Sequence, residues 1–235
     1  MDVMNKIVHY ARQGWRHIFL SKLELELSYW KDTFKSENGQ FENGFYKKMM
    51  LAMAAENDDT FLKGKVVGDF GCGPRGSLAW ADAASLRIGI DVIANRYLQC
   101  FPAELQKHKM IYVTSSEHSI PIPDATLDIL FTVNALDHVT NLSDICSELR
   151  RIVKPGGLII GSFNLNHPPT KAEPQRITED VIKTLLFRDY EILSWRVSAP
   201  DTADKNKSLY HPLLTNQLIE PGGKPAFLWA KVRKT

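Results

Sequence analysis

The sequence predicts an α/β domain built on a parallel, doubly wound sheet. Two observations lead to this prediction: short β-rich runs alternate with helical or turn segments, and a glycine-rich turn follows the first run. The predicted strands of this alternation are 65–70, 86–90, 111–113, 127–133 and 158–162. A chain of 235 residues, 44% of them hydrophobic, is long enough for one well-buried core plus an extension.

A helical extension precedes the predicted sheet. Apolar residues at helical spacing predict an amphipathic helix within the first twenty residues, and further helices are predicted at 23–34 and 45–56. We therefore divide the chain into an N-terminal helical extension or lid, 1–62, and a main domain, 63–235. The extension is rich in aromatic residues, which are Trp15, Trp30, Phe34, Phe41 and Tyr46. They either join the helices to one another, which we favour, or cover an apolar ligand.

The C-terminal part of the sequence departs from the strand–helix alternation. Residues 190–197 and 226–232 have the alternating pattern of strands, with no good helix between them, and are predicted to pair antiparallel. The proline- and glycine-rich segment 198–224 that joins them is predicted to be a long loop of the kind that is usually functional or mobile.

Composition restricts the partners and the compartment. The net charge is +2 and no run of five or six basic residues occurs, so a small molecule is expected as the partner rather than nucleic acid. The three cysteines lack metal-ligand spacing and do not suit a disulfide framework, so we expect no metal. No apolar run has the length of a membrane span or of a signal-peptide core. We expect a cytoplasmic protein, and the amphipathic first helix is compatible with a homodimer.

Residues 69–76 are predicted to form a glycine-rich strand-to-helix turn, which indicates a nucleotide-like ligand because glycines let the backbone approach where a Cβ would collide. Its three glycines also fit GxGxxG, the dinucleotide fingerprint, with Asp91 about twenty residues further on. Asp69 discriminates between two cofactors. Its carboxylate would repel a pyrophosphate, whereas it would attract the ammonium and sulfonium groups of S-adenosylmethionine (SAM).

Four segments, in the expected order, resemble class I SAM-dependent methyltransferases, and most closely the small-molecule, methyltransferase type 11-like branch. They are 66–74 and 88–92, similar to the first two motifs, 119–130, similar to LPFPDxxFDxV, and 149–158, similar to LRRVLKPGG. The resemblance implies a Rossmann-like sheet of seven strands whose last strand is antiparallel. It also implies SAM as the cofactor and S-adenosylhomocysteine as the product.

The resemblance implies a set of cofactor-binding residues. Asp69, Gly71 and Gly73 would line the methionine end, Asp91 the ribose, Ser116 or Glu117 the adenine edge, and Asn134 the methyl group, with Cys72 and Val92 completing the set. Arg75 stands where the family's third glycine falls. We hypothesise that its guanidinium meets the methionine carboxylate instead.

Two histidines are candidates for a general base. His138 follows the fourth predicted strand and His167 the fifth, at the carboxyl edge where open α/β sheets bind ligands. Each also has an ordinary structural interpretation. The predicted function is transfer of a methyl group from SAM to an oxygen or nitrogen of a small-molecule acceptor by in-line displacement. Three alternatives stay open: a non-catalytic SAM-binding module or partner subunit, a nucleic-acid methyltransferase, and an NAD(P)-dependent oxidoreductase.

Overall fold

The computed structural model describes residues 21–201 and 209–235. The amphipathic helix predicted within the first twenty residues lies outside this range, as does part of the predicted 198–224 loop. The strands are β1 (Val66–Phe70), β2 (Leu86–Asp91), β3 (Ile111–Thr114), β4 (Leu127–Val133), β5 (Val153–Leu165), β6 (Tyr190–Ser198) and β7 (Ala226–Lys234). They form one seven-stranded sheet with the order β3-β2-β1-β4-β5-β7-β6.

Strand directions confirm the predicted fold class. The neighbours among β1 to β5 pair parallel, whereas β7 pairs antiparallel with both β5 and β6. The predicted pairing of the two C-terminal strands is therefore confirmed, with Tyr190 opposite Lys234 and Ser198 opposite Phe227. Because β7 lies between two strands, its first five residues are all buried, while β6 at the sheet edge is mostly half-buried or exposed.

Helices cover the two faces of the sheet. They are α1 (Lys22–Ser36), α2 (Phe45–Ala54), α3 (Ala94–Cys100), α4 (Pro102–Lys107), α5 (Leu142–Ile152), α6 (Glu179–Leu185) and α7 (His211–Thr215). On one face α5 buries an apolar stripe at helical spacing, formed by Leu142, Ile145, Cys146, Leu149 and Ile152. On the other face the methionines of α2 pack around Trp229. None of the helices within 21–201 and 209–235 is long and apolar enough to cross a membrane.

Helix α1 is the part of the helical extension that reaches the ligand-binding edge. It begins with a capping box, in which the Ser21 hydroxyl accepts from the Glu24 amide and the Glu24 carboxylate accepts from the Ser21 amide. None of its residues is fully buried. Its Trp30 and Phe34 rings pack against Phe41 and, with Leu27, onto a cluster of α3 and α4 side chains. These aromatic contacts join the extension to the sheet domain.

The glycine-rich turn does not lead into a helix. Residues 71–80 form successive turns, and the next regular element after β1 is β2. Gly71, Gly73 and Gly76 all have positive φ, between 56° and 75°, which interrupts a right-handed helix three times. The strand-to-helix turn expected from the sequence is therefore corrected to an irregular turn. A helix N-terminus that would hold a pyrophosphate is absent from this part of the described chain, which disfavours a dinucleotide.

Candidate active site

A cavity of about 740 Å³ opens at the carboxyl edge of the sheet. β1 lies between β2 and β4, so the connection after β1 runs to one side of the sheet and the connection after β3 crosses to the other. Such a topological switch point creates a crevice. The segments that follow β1, β2, β3 and β4 line the cavity, and α1 covers it. Nine of the residues predicted from the sequence line it: Asp69, Gly71, Cys72, Asp91, Val92, Ser116, Glu117, Asn134 and His138.

The glycine turn lies close to its surroundings on both sides. A Cβ on Gly71, which has φ +72°, would overlap the Cβ of Ala135. A Cβ on Gly73, which has φ +56°, would lie 2.8 Å from the Trp30 ring. Gly73 does not line the cavity itself, but its amide donates to Asp91 Oδ2 at 3.1 Å. The backbone of the turn therefore lies directly against α1 and against the segment after β4, because glycine has no side chain that would collide with either.

Asp69 presents an unpaired carboxylate oxygen in the cavity wall. The residue is 1% exposed, and its Oδ2 accepts a short hydrogen bond from the Ser77 hydroxyl. Its Oδ1 is buried and has no hydrogen-bond partner among the described residues. Burial raises the pKa of Asp69 to about 7, and the nearby Asp91 charge adds to this shift. A cationic group at Oδ1 would supply the missing partner and favour the ionised carboxylate.

Asp91, at the end of β2, is held in place by the backbone. Its Oδ1 accepts from the Ile93 amide at 3.0 Å and its Oδ2 from the Gly73 amide at 3.1 Å. Burial raises its pKa to about 7, and the Glu26 carboxylate of α1 contributes in the same direction. Each carboxylate oxygen can accept more than one hydrogen bond, so a ligand with donor groups fits this position.

The raised pKa values of Asp69 and Asp91 predict a pH-dependent stability for the free protein. Each pKa rises from an ordinary 3.8 to about 7 on folding, so between these values the folded state holds protons that the unfolded chain releases. The resulting stabilisation is complete below about pH 4 and is lost as the pH rises through about 7. We expect the thermal unfolding midpoint to fall between about pH 5 and about pH 8, and to fall less in Asp69→Asn.

The control for this prediction is Asp189→Asn. Asp189 is an exposed aspartate beside Arg188, and it has a positive φ that asparagine also tolerates. This variant should keep the wild-type dependence on pH. Equal slopes in wild type and Asp69→Asn would contradict the assignment of the effect to the buried carboxyl.

Ser116 and Glu117 follow β3 at the far end of the cavity. The Ser116 hydroxyl accepts from the amides of His118 and Ser119 at 3.1 and 2.9 Å. Glu117 Oε2 accepts from the Thr140 amide at 2.9 Å, and its Oε1 lies 3.5 Å from Lys22 Nζ on α1. The ion pair connects the start of the covering helix to the cavity rim.

Asn134 has a fixed orientation at the end of β4. It adopts φ +47°, its amide oxygen accepts from the Ser162 hydroxyl at 2.8 Å, and its amide nitrogen donates to the Tyr210 hydroxyl at 3.1 Å.

Cys72, in the glycine turn, is buried, which raises the pKa of its thiol well above the ordinary value. The thiol therefore stays protonated near neutral pH and is not a nucleophile.

The two candidate histidines have different surroundings. His138 lines the cavity, and its Nε2 lies 3.8 Å from Glu173 Oε1. Together with Asp137, these two side chains bring possible metal-ligating atoms within 4.8 Å of one another. His167 does not line the cavity. Its ring lies 5.9 Å from the Phe227 ring, and its Nε2 is buried with no hydrogen-bond partner among the described residues.

Residues 68–161 match the family model for a methyltransferase domain. The fold is similar to that of a SAM-dependent methyltransferase from Mesorhizobium loti, with a TM-score of 0.56 at 16% identity, over 80% of this chain and 98% of that one. The matched segment contains the glycine turn and the carboxyl ends of β2, β3 and β4, at which most of the cavity lining lies. Residues 68–161 are thus similar to a methyltransferase domain, and the chain has the fold of the class I SAM-dependent methyltransferases.

Two further comparisons limit what the family match says about the whole protein and its reaction. An uncharacterized methyltransferase of Mycobacterium bovis (strain BCG / Pasteur 1173P2) is 28% identical over 129 residues, which are 52% of this chain and 50% of that protein. The chain thus spans about half the length of this curated relative. The [4+2]-cyclase SpnF has a similar fold, with a TM-score of 0.56 at 16% identity over 80% of both chains. The methyltransferase fold alone therefore does not fix the reaction.

Several residues that line the cavity were missed by sequence reasoning. Glu26 and Tyr29 of α1 and Glu173 of the loop after β5 all line the cavity. Glu26 and Tyr29 lie on a helix whose pattern resembles that of any amphipathic surface helix, so no local signal marks them. Glu173 precedes a proline in an irregular segment, where no transferable motif exists.

Arg75 does not line the cavity. Its guanidinium pairs with Glu37 and donates to the Glu42 carbonyl at 2.5 Å. Its guanidinium carbon lies 5.8 Å from the Trp30 ring and 6.0 Å from the Phe45 ring. The hypothesis that Arg75 meets the methionine carboxylate is not supported by this arrangement, in which the guanidinium instead ties the glycine turn to α1 and α2.

Arg75→Ala is therefore expected to loosen α1. The variant loses charge-assisted hydrogen bonds in a largely buried position, for which we expect a loss of about 1–3 kcal/mol in unfolding free energy. Amide hydrogen exchange over Lys22–Ser36 should become faster than in wild type. Arg188→Ala, at an exposed arginine, serves as the control. Unchanged exchange in α1 would show that Arg75 does not hold this helix.

Proposed function

We propose that this domain binds SAM in the cavity between α1 and the carboxyl edge of the sheet, and transfers a methyl group to an oxygen or nitrogen of a small molecule. The buried, unpartnered Oδ1 of Asp69 is the observation on which the proposal chiefly depends. Bound SAM carries an ammonium group that suits this oxygen, and a methyl group activated by its sulfonium.

Each remaining part of the cofactor has a matching residue. Asp91 has acceptor capacity for the hydroxyls of a ribose, since its two backbone bonds leave lone pairs on both oxygens. Ser116 and Glu117 would contact the adenine edge. Asn134 would lie near the methyl group, held in one orientation by Ser162 and Tyr210.

Alignment and exclusion of water are the protein's main contributions to methyl transfer, because the carbon is already activated. Helix α1 covers the cavity and contributes Tyr29 and Trp30 to its wall. His138 is the proposed proton acceptor, since its ring lines the cavity. His167, whose ring packs on Phe227 outside the cavity lining, is not assigned this role.

A small-molecule acceptor suits this site better than a nucleic acid. The cavity is covered by a helix, and six of its lining residues are carboxylates, which would repel phosphates. The absence of a helix after the glycine turn also disfavours NAD(P).

The test of the cofactor is calorimetric titration with SAM, S-adenosylhomocysteine and NADH in parallel. Micromolar binding of both adenosyl ligands without NADH binding would support the proposal. Binding of NADH alone, or of none of the three, would overturn it. Release of S-adenosylhomocysteine in the presence of acceptors then distinguishes an enzyme from a non-catalytic SAM-binding module.

A further inference from the structure

Acidic residues predominate over basic ones in the lining of the cavity. Six carboxylates line it, against one lysine and one histidine, and no arginine is present among the lining residues that the structure describes. The lysine, Lys22, is already opposed by Glu117 at 3.5 Å. An acceptor that carries a carboxylate or phosphate would therefore meet charges of its own sign on entering the site.

Glu173 lines the cavity beside His138, and no lysine or arginine among the described residues forms an ion pair with its carboxylate. Its side chain is 36% exposed, and the contact of its carboxylate within the described residues is with His138 Nε2, at 3.8 Å. Its hydrogen bonds to Thr170 use backbone atoms of Glu173. The carboxylate therefore remains available to a ligand that carries a positive charge.

The position of Glu173 beside His138 is fixed by its neighbour Gln175. The Gln175 amide donates to the Asp137 carbonyl at 3.2 Å, while its side-chain nitrogen donates to the carbonyls of Val139 and Thr140 at 3.1 and 3.0 Å. These three bonds hold the loop after β5 against the turn after β4. The backbone on both sides of the Glu173 and His138 pair is therefore held in place by hydrogen bonds.

Apolar and aromatic side chains form the wall next to this pair. Tyr29 and Trp30 of α1, Val139 and Ile145 beyond β4, and Ala172 beside Glu173 all line the same cavity. Such a wall favours an apolar body on the ligand, whereas the polar pair favours a charged group attached to it.

We propose that the methyl acceptor is an amine on an apolar body, bound through its ammonium group by the Glu173 carboxylate. This inference rests on the proposed function. His138 takes one proton from the ammonium group, which frees the nitrogen lone pair. That lone pair forms the new N–C bond as the S–CH₃ bond breaks, and the bonding electrons return to sulfur. The proton leaves to solvent from the half-exposed imidazole.

The test compares acceptors that share one body and differ in charge. We would use 2-phenylethylamine and tryptamine, their alcohol counterparts 2-phenylethanol and tryptophol, and the acids 3-phenylpropanoate and indole-3-propanoate. The readouts are S-adenosylhomocysteine release with SAM, and calorimetric binding to the protein loaded with S-adenosylhomocysteine. We expect at least one amine to be bound or turned over at least tenfold better than its alcohol, with the acids inactive.

Glu173→Gln tests the residue itself because it removes the charge and keeps the shape. We expect the tenfold preference for the amine to disappear in this variant while affinity for S-adenosylhomocysteine stays the same. Glu191→Gln is the matched control, since Glu191 is exposed, pairs with Arg233 and does not line the cavity. Glu191→Gln should keep the amine preference.

Three results would overturn the amine proposal. They are equal or better binding of the alcohols or acids, no binding of any amine, and turnover that requires added Mg²⁺ or Mn²⁺ and stops with a chelator. The last would assign Asp137, His138 and Glu173 to a cation instead. Failure of SAM to bind at all is a separate result that contradicts the proposed function. The SAM-binding proposal and the amine proposal can therefore be rejected independently.

Discussion

Asp91→Ala is expected to lower affinity for SAM by about 10- to 100-fold, from the loss of charge-assisted hydrogen bonds worth about 1.5–3 kcal/mol. The variant also removes the acceptor for the amides of Gly73 and Ile93, so the glycine turn loses a fixed point. Asp91→Asn separates the two effects, because its amide oxygen still accepts one backbone bond. Calorimetric titration with SAM measures both variants.

The control for Asp91 is Asp189→Asn, which alters an exposed carboxylate that does not line the cavity. It should bind SAM as wild type does. If Asp91→Ala remains folded and binds SAM with unchanged affinity, the proposed contact between Asp91 and the ribose is wrong.

Gly71→Ala is expected to cost about 2–5 kcal/mol of unfolding free energy. Positive φ disfavours a side chain by about 1–2 kcal/mol, and the overlap of the new Cβ with the Cβ of Ala135 adds the cost of overpacking, about 1–3 kcal/mol. Denaturant unfolding measures the loss. Because the overlap lies in the cavity wall, weaker SAM binding is also expected in any folded variant.

Gly64→Ala is the matched control for Gly71→Ala. Gly64 has a similar φ of +69°, but a Cβ there meets no atom within 4 Å. Gly64→Ala should lose only the unfolding free energy that positive φ costs a residue with a side chain. Adding Ala135→Gly to Gly71→Ala should restore part of the lost stability, since it removes the overlapping atom. Equal losses at Gly64 and Gly71 would contradict the close approach of the turn to Ala135.

The sheet and much of the cavity lining were predictable because their signals are local. Strand runs, the glycine turn and the carboxylates Asp69 and Asp91 lie within a few residues of strand ends, and parallel strands bring those ends to one edge. The antiparallel pairing of β6 and β7 was also predicted correctly from the alternating pattern of both segments. The segment between them, predicted as a loop without a good helix, contains the five-residue helix α7.

The helix predicted after β1 does not form, and the sequence pattern alone does not show why. A glycine-rich turn is compatible with either a helix start or a series of turns. The positive φ at Gly71, Gly73 and Gly76 decides for turns, and Gly76 has no room for a Cβ because the His108 ring lies against it. That contact joins two segments more than thirty residues apart, which no local pattern reports.

By itself the sequence determined the fold class, the main strands of the sheet and the place of Asp69 and Asp91 at its carboxyl edge, since each depends on residues close together in the chain. Only the tertiary structure decided which side chains meet across segments. It brought α1 over the cavity, tied Arg75 to Glu37 and Trp30, set Glu173 beside His138 and left His167 outside the cavity lining. The physical reason is that packing, not local propensity, fixes the positions of segments distant in sequence.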